Sequence, residues 1–269
     1  MNKKEIRLKF KNEKSELKRT LAEERLSARL RYAEALSESR TEYLTELEAY
    51  YAECGKRPPI DPPKRSLLEE IGNSVTHGIG SVLSVIALCF MLAAADRPVE
   101  IASAVIYFIG LFAMFTMSCL YHAFPHGSAV KRLFRRFDYT GIYLLIGATF
   151  TPPLLCYIGG IFGITFSVAQ WAVIVTGITF VGVFGPGRLR FLHVPLYVAL
   201  GWSALLLLPS MINDCLPMAL WILAGGVAYT LGIIPFVMKS KVSHFIWHFF
   251  VLAGAVLQWV GIFVYIYLP

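Results

Sequence analysis

The chain has 269 residues, of which 56% are hydrophobic and 16% are charged, and its formal net charge is +7. Soluble domains carry about 25% charged residues, so this composition excludes an ordinary soluble protein for most of the chain. Residues 1–70 hold 16 of the 25 Lys and Arg and 14 of the 18 Asp and Glu, which leaves nine basic and four acidic residues for the other 199. The sequence therefore predicts a water-exposed first quarter followed by a membrane domain.

Residues 1–55 are predicted to form a polar helical extension in the cytoplasm. This segment contains no Pro, and Gly occurs only at its last position, so nearly every residue favours helix. Ser39 followed by Glu42 predicts a capping box that starts a second helix. The segment is either a hairpin or coiled coil that binds a protein partner or a second copy, or a solvated extension. Residues 56–66, which include KRPPIDPPKR, predict a stiff Pro-rich linker.

Seven apolar stretches follow, each close to the ~20 residues that a helix needs to cross a bilayer. They cover residues 71–95, 99–123, 137–158, 161–184, 191–211, 216–238 and 244–268. The breaks between them are short and polar, so consecutive helices are expected to run antiparallel. The sequence thus predicts an all-α membrane protein with a seven-transmembrane-helix bundle over residues 67–269.

The distribution of loop charge predicts the orientation, because cytoplasmic loops carry an excess of Lys and Arg. The basic residues that precede the first stretch or fall in every second loop are Lys56, Arg57, Lys64, Arg65, Lys131, Arg132, Arg135, Arg136, Arg188, Arg190, Lys239 and Lys241. The alternate loops hold only Arg97, set against Asp96 and Glu100, and the acidic Asp214. The N-terminus is therefore expected in the cytoplasm, and Pro269 is expected outside.

The polar residues of the membrane domain gather at one end of their helices. Ionisable side chains are costly inside lipid, so these residues are candidates for function. They are Glu70, Asn73, Thr76, His77, Ser118, His122, Asp138, His244 and His248. All lie at the cytoplasmic ends of the predicted helices. His126 and His193 lie in or beside basic loops, and we interpret them as solvated residues of the membrane interface.

The spacing of two histidines indicates a metal site. His244 and His248 are four residues apart, so both rings project from one helix face. A third imidazole from another helix, such as His122, would complete three corners of a tetrahedron and leave the fourth for water, as in catalytic zinc sites. The alternative is that the histidines bond to nearby backbone or lie at the membrane boundary, while Asp138 forms a surface ion pair. The metal site is favoured because all candidates share one leaflet.

Four short motifs occur in order along the membrane domain. EEIGNSVTHGIG has the form E-x-x-N-x-x-T-H, SCLYH has the form S-x-x-x-H, FDYTGIYLLIGATFTP follows it, and SHFIWH supplies H-x-x-x-H. Together they resemble the haemolysin III branch of the progestin and adiponectin receptor family. The resemblance covers residues 67–269 and leaves the N-terminal extension unmatched.

The resemblance implies a seven-helix fold with the N-terminus inside, and a zinc ion. The implied zinc ligands are His122, His244 and His248. Asp138 is implied to hold or activate the zinc-bound water, and Ser118 to lie beside the metal. The first motif is expected to support the ligands from behind or to pack the helices, and it comprises Glu70, Asn73, Thr76 and His77.

Three functions stay open from the sequence. The first is a zinc-dependent hydrolase of an amide or ester lipid, with Asp138 as general base and Ser118 beside the developing oxyanion; related members are linked to ceramidase-like activity. The second is a zinc-stabilised receptor or sensor without catalysis. A pore-forming haemolysin is the least favoured, because the spans show no polar stripe to line a channel. For a bacterial member we expect the inner membrane, a role in lipid homeostasis, a membrane lipid as ligand and no nucleic acid.

Overall fold

The computed structural model describes residues 3–54, 60–238 and 240–268, and all the regular secondary structure in them is helical. Positions 55–59 lie outside the described residues, and so do Lys239 and Pro269, so part of the expected linker and its charges has no structural account. The chain divides into two compact units, Met1–Pro59 and Ile60–Pro269.

Within its described residues, the first unit contains one helix, α1, which covers Lys3–Glu53. The expectation of a second helix that begins at Ser39 is wrong, because α1 continues through Ser39 and Glu42 without a break. In the middle of a long helix the backbone N–H groups already donate to backbone carbonyl groups of the same helix, so no capping box is needed there. Apolar side chains of α1 such as Leu17 and Leu30 are exposed, so the helix does not bury an apolar core within its own unit.

Six helices of the second unit are long and apolar enough to cross a membrane. They are α2 (Leu67–Ala94), α3 (Pro98–Ala123), α4 (Ala129–Pro152, continued by the π-helical Pro153–Ile158), α5 (Gly160–Phe184), α7 (Leu208–Val237) and α8 (Ser243–Ile262, continued by the π-helical Phe263–Tyr267). A shorter apolar helix, α6, covers Arg190–Trp202 and continues as a 3-10 helix over Ser203–Leu206. The length and apolar character of these helices indicate a multi-pass membrane domain.

The helix α4 begins at Ala129, although the sequence suggested a loop up to residue 136. The reason is an N-cap, because the backbone N–H of Lys131 donates to the Ser128 hydroxyl at 3.1 Å. Ser66 caps α2 in the same way and accepts from the Glu69 N–H at 3.2 Å. The basic segment after residue 128 is therefore helical, and its side chains point in fixed directions.

The break expected at residues 213–217 is a single non-helical residue inside α7, Cys215, with φ −155° and ψ 80°. Trp202 Nε1 on α6 donates to Thr230 Oγ1 at 3.0 Å. A straight α7 would place Thr230 about 33 Å from Leu208, out of reach of Trp202. The chain therefore reverses its direction near Cys215, and the first turns of α7 extend the arm that begins with α6.

Three pairs of successive helices, α2 with α3, α3 with α4 and α7 with α8, pack closely as antiparallel neighbours. Ser74 on α2 donates to the Cys119 carbonyl on α3 at 3.1 Å, and Gly110 on α3 lies against Ala148 on α4 so closely that a Cβ at residue 110 would clash. Small residues at helix crossings allow this approach in membrane bundles. Since α2 pairs with α3 and also contacts α8 where Gly72 lies against Phe245, the end of α3 and the start of α8 lie at the same end of the unit.

Candidate metal centre

Three imidazoles meet where α3 ends and α8 begins. His122 lies in the last turn of α3, and His244 and His248 lie in the first two turns of α8. One ring nitrogen from each lies within 4.8 Å of the others. The three residues are 2%, 8% and 1% exposed. Three buried imidazoles this close together can hold a metal ion, because neutral ring nitrogens are common metal ligands.

The carboxylate of Glu70, on α2, fixes the orientation of His122. The Nδ1–H of His122 donates to Glu70 Oε2 at 2.6 Å, and the side-chain amide of Asn73 lies 3.3 Å from the same nitrogen. The other nitrogen, Nε2, is buried and has no hydrogen-bond partner within the described residues. A carboxylate that holds Nδ1 in this way leaves the lone pair of Nε2 for a metal ion.

The backbone of α2 holds His248 in a similar way. His248 Nδ1 donates to the Asn73 carbonyl at 3.2 Å, and the Thr76 hydroxyl lies 3.5 Å from it. The ring of His77 stacks on the His248 ring with 3.7 Å between centroids and 19° between planes. Because Nδ1 is engaged by the backbone, Nε2 is the nitrogen that His248 can offer to a metal.

The first sequence motif thus forms one face of α2, beside two of the imidazoles. Its members are three, six and seven residues apart, so they share a helix face. They are Glu70, Asn73, Thr76 and His77. Among the described His, Cys, Asp and Glu residues, the three imidazoles form the cluster, and none of these four residues belongs to it.

Lys131 contacts Glu70 in a way that the sequence did not indicate. Its side chain is fully buried, and Nζ lies 2.9 Å from Glu70 Oε1. Nζ also donates to the carbonyl oxygens of Tyr121 at 3.0 Å and Phe124 at 2.9 Å. Lys131 therefore balances the charge of the carboxylate that orients His122. It stands in a run of basic residues that is typical of a cytoplasmic loop, so only the tertiary structure reveals its role.

Asp138 and Ser118 face each other across α3 and α4. The Ser118 hydroxyl and the side chains of Arg65 and Arg135 lie near the Asp138 carboxylate. Ser118 is 2% exposed and precedes His122 by one helical turn. Asp138 lies outside the cluster of imidazoles. This arrangement places a carboxylate and a hydroxyl next to the candidate metal ligands.

A cavity of about 760 Å³ opens beside these residues. His248, Asp138 and Ser118 all line it, and so do Ser243 and Gln258. Because Ser243 and Gln258 are fifteen residues apart on α8, the cavity extends about 22 Å along that helix. This volume lies within the range of about 300–1,000 Å³ that is usual for ligand pockets. The candidate centre therefore lies beside a cavity that is large enough for a small molecule.

The interpretation of His193 as a solvated residue is wrong. His193 is 0% exposed, and the Tyr143 hydroxyl lies 2.9 Å from its Nδ1. The ring lies between α4 and α6, where it also packs edge-on against Tyr139. Its position beside a basic loop suggested contact with water, but α6 turns this face toward α4.

Comparisons with known proteins agree with these features. A family model described as "Haemolysin-III related" matches residues 65–259. Hemolysin-3 of Bacillus cereus is 33% identical over 204 residues, which cover 74% of this chain and 92% of that protein. The Hemolysin-3 homolog of Bacillus subtilis (strain 168) is 32% identical over 195 residues, or 71% and 91% of the two chains. Monocyte to macrophage differentiation factor of Homo sapiens is 26% identical over 211 residues, or 76% and 87%.

The match covers the part of the chain that carries the candidate centre. Residues 65–259 include all four sequence motifs and the three imidazoles, whereas α1 lies outside them. Six apolar helices and this match together show a multi-pass membrane protein, and the chain belongs to the haemolysin III-related family.

Proposed function

We propose that the protein is a zinc-dependent membrane hydrolase that cleaves an amide or ester lipid and serves membrane lipid homeostasis. One observation carries this proposal. Two of the three clustered imidazoles, His244 and His248, line the same cavity as Asp138 and Ser118, and that cavity continues among apolar side chains of the bundle. A site of this composition brings together a metal, a general base and a hydroxyl donor beside an apolar chamber.

Zinc fits the donor set of His122, His244 and His248. Catalytic zinc sites use three protein ligands and keep a fourth position open. The three ring nitrogens lie within 4.8 Å of one another and are buried together, so these residues would hold the ion. A bound zinc ion would supply an activated water and would polarise the carbonyl of the substrate.

The remaining chemistry belongs to Asp138 and Ser118. Asp138 would accept a proton from the attacking water while the water oxygen bonds to the carbonyl carbon of the substrate. The Ser118 hydroxyl would donate a hydrogen bond to the oxyanion that develops. The C–N or C–O bond then breaks, and Asp138 returns the proton to the leaving amine or alcohol. The products are a fatty acid and that amine or alcohol.

We also propose that the chain has three parts and that the last of them crosses the membrane seven times. The reversal near Cys215 supports the seventh crossing, because α6 and the first turns of α7 then form one arm and the rest of α7 the other. The parts are the cytoplasmic extension 1–55, the Pro-rich linker 56–66 and the membrane domain 67–269. The distribution of basic residues supports a cytoplasmic N-terminus and an external C-terminus in a bacterial inner membrane.

A second candidate is a sensor in which zinc holds helices together without catalysis. The contacts of Glu70 and Asn73 with His122 and His248 favour it, since they join α2, α3 and α8 at one point. The extension 1–55 would then transmit the signal to a protein partner or to a second copy. Chelation would lower the thermal stability of such a protein, and no purified lipid would be hydrolysed.

A hydrolysis assay distinguishes the two candidates. Fatty-acid release from an amide lipid and an ester lipid is measured with purified, zinc-loaded protein and with His248→Ala and Asp138→Asn. We expect turnover by the wild type and a loss of about 10²-fold or more in each variant, the usual contribution of a general base or a metal ligand. Asp138→Asn should keep its zinc. Hydrolysis by His248→Ala at the wild-type rate would contradict the hydrolase.

A further inference from the structure

The two ends of the cavity differ in chemistry. The end at which α2 and α8 begin, which we call the basic mouth, is lined by Lys64, Arg65, Arg135 and Lys241. The opposite end is lined by apolar residues such as Leu208 and Ile222. His244 and His248 lie between the two ends, within two helical turns of the mouth. The cavity therefore has the layout of an amphiphile, with one charged and one apolar end.

The positive-inside rule does not explain the burial of Arg65 and Arg135 in the basic mouth. That rule requires Lys and Arg in cytoplasmic loops, where they remain in water. Arg135 is only 8% exposed, and the side chain of Arg65 is 18% exposed. A guanidinium that leaves water loses its hydration, and this cost is offset only by an anion or by hydrogen-bond acceptors. Arg65 and Arg135 therefore need such partners at this place.

The protein itself supplies only part of the required acceptors. Arg65 Nη1 donates to Glu69 Oε1 at 3.0 Å, and Arg135 Nη1 donates to the carbonyl oxygens of Ile60 at 3.2 Å and Asp61 at 3.3 Å. Arg65 Nε is buried and has no hydrogen-bond partner in the part of the chain that the structure describes. A buried N–H without an acceptor is costly, so an oxygen from a ligand would stabilise it.

Charge and helix direction add to the attraction for an anion. Among the described lining residues, the four Lys and Arg of the mouth face two carboxylates, Glu69 and Asp138. Ser66, the N-cap of α2, and Ser243, the first residue of α8, line the same end. The N-terminus of a helix carries a partial positive charge and binds phosphate groups through its free N–H groups.

We propose that the basic mouth binds the phosphate group of an acyl lipid whose hydrocarbon chain lies in the apolar end. Guanidinium groups such as those of Arg65 and Arg135 match phosphate oxygens in two parallel hydrogen bonds. The bond to be cleaved would then lie beside His248, and this last placement rests on the function proposed above. A neutral headgroup would offer the buried Arg65 Nε no charged acceptor.

Binding of two matched lipids that cannot be hydrolysed tests this inference. Full-length protein in neutral detergent is titrated with a 1-O-alkylglycerol phosphate and with the 1-O-alkylglycerol of the same chain length, and native mass spectrometry gives the two Kd values. Their ratio reports recognition of the phosphate and cancels the contribution of the alkyl chain. We expect the phosphate lipid to bind about tenfold tighter, the effect of one charge-assisted hydrogen bond.

Charge-neutralising variants locate the recognition. Lys241 is exposed, so Lys241→Gln is expected to fold; it and Arg65→Gln should each lower the Kd ratio about fivefold, and Arg65→Lys should restore part of it. The matched control is Arg136→Gln, because Arg136 is exposed, follows Arg135 on the same helix and does not line the cavity. This control should keep the wild-type ratio.

Each result supports or overturns the inference. A wild-type ratio near one overturns it, and so does an equal loss of the ratio in Arg136→Gln, which would indicate nonspecific charge attraction. Displacement of the phosphate lipid by an equal concentration of inorganic phosphate would assign the mouth to a free anion and also overturn it. His248→Ala should keep the wild-type Kd ratio. If the wild type hydrolyses no lipid but shows the expected Kd ratio, the hydrolase alone is refuted. Hydrolysis by a wild type whose Kd ratio is near one refutes only the headgroup site.

Discussion

Glu70 Oε2 accepts a hydrogen bond of 2.6 Å from Nδ1 of His122, a residue 52 positions away on another helix. The other oxygen of the same carboxylate lies 2.9 Å from Nζ of the buried Lys131. One side chain of α2 thus joins a candidate metal ligand on α3 to a cation on α4. This chain of contacts explains why an acidic residue is stable at the end of an apolar helix.

Replacement of Glu70 by Gln should weaken metal binding. The amide carries no charge to hold the Nδ1–H of His122, and loss of such support lowers metal affinity about 10–100-fold. Zinc affinity is measured by competition with a chelator in detergent solution. Glu69→Gln is the matched control, because Glu69 is the adjacent residue and pairs with Arg65 instead of a histidine. Equal losses in the two variants would contradict the assignment.

Replacement of Lys131 by Met should destabilise the membrane domain. It leaves the Glu70 carboxylate and two carbonyl groups without their buried cation, which costs about 3 kcal/mol of unfolding free energy. The control is Arg132→Met, since the ion pair of Arg132 with Asp61 is more exposed and contributes less than about 1 kcal/mol. Denaturant unfolding in detergent measures both. A small loss for Lys131→Met would show that the buried contacts are not coupled to the fold.

Filling the cavity should lower lipid turnover without unfolding the protein. Gly226 lines the cavity, and a Cβ at this position meets no atom within 4 Å. Gly226→Leu should therefore occupy space meant for the acyl chain and reduce turnover about tenfold, the effect of about 1.4 kcal/mol of steric cost. Gly182 on α5 also has open space around it but does not line the cavity, so Gly182→Leu should keep the wild-type rate and Tm.

The reversal at Cys215 predicts that the two ends of the chain lie on opposite sides of the membrane. Seven crossings separate the ends, whereas six would leave them on one side. Single cysteines introduced next to Met1 and Pro269 are labelled with an impermeant maleimide in intact cells, after replacement of the five native cysteines. Labelling of the C-terminal site alone agrees with seven crossings and a cytoplasmic N-terminus. Equal labelling of both sites would contradict them.

The sequence predicted the helices and the cluster of imidazoles because both depend on local pattern. Apolar length marks a membrane helix, and the four-residue spacing of His244 and His248 fixes their shared face. His122 joins them because short loops force antiparallel neighbours, which places helix ends together. The family to which the chain belongs was also recognisable from these short motifs.

The contacts of Lys131 and His193 could not be predicted from local pattern. The partner of Lys131, Glu70, lies on another helix, and nothing near residue 131 distinguishes it from the basic residues of a loop. His193 is buried because Tyr143, fifty positions earlier, hydrogen-bonds to it. The N-cap of α4 at Ser128 could have been predicted, because Ser is a favoured N-cap residue, but the charge of the following residues suggested a loop. The misses at Lys131 and His193 thus concern partners that are distant in sequence, whereas the cap of α4 is a local contact.

The metal content of the purified protein tests the central claim most directly. Elemental analysis is applied to the wild type, to His244→Ala and to His193→Ala, a buried histidine outside the cluster. We expect about one zinc ion per chain in the wild type and in His193→Ala, as for a single site with three histidine ligands, and a large loss of zinc in His244→Ala. Absence of stoichiometric zinc from the wild type, or full zinc content in His244→Ala, would contradict it.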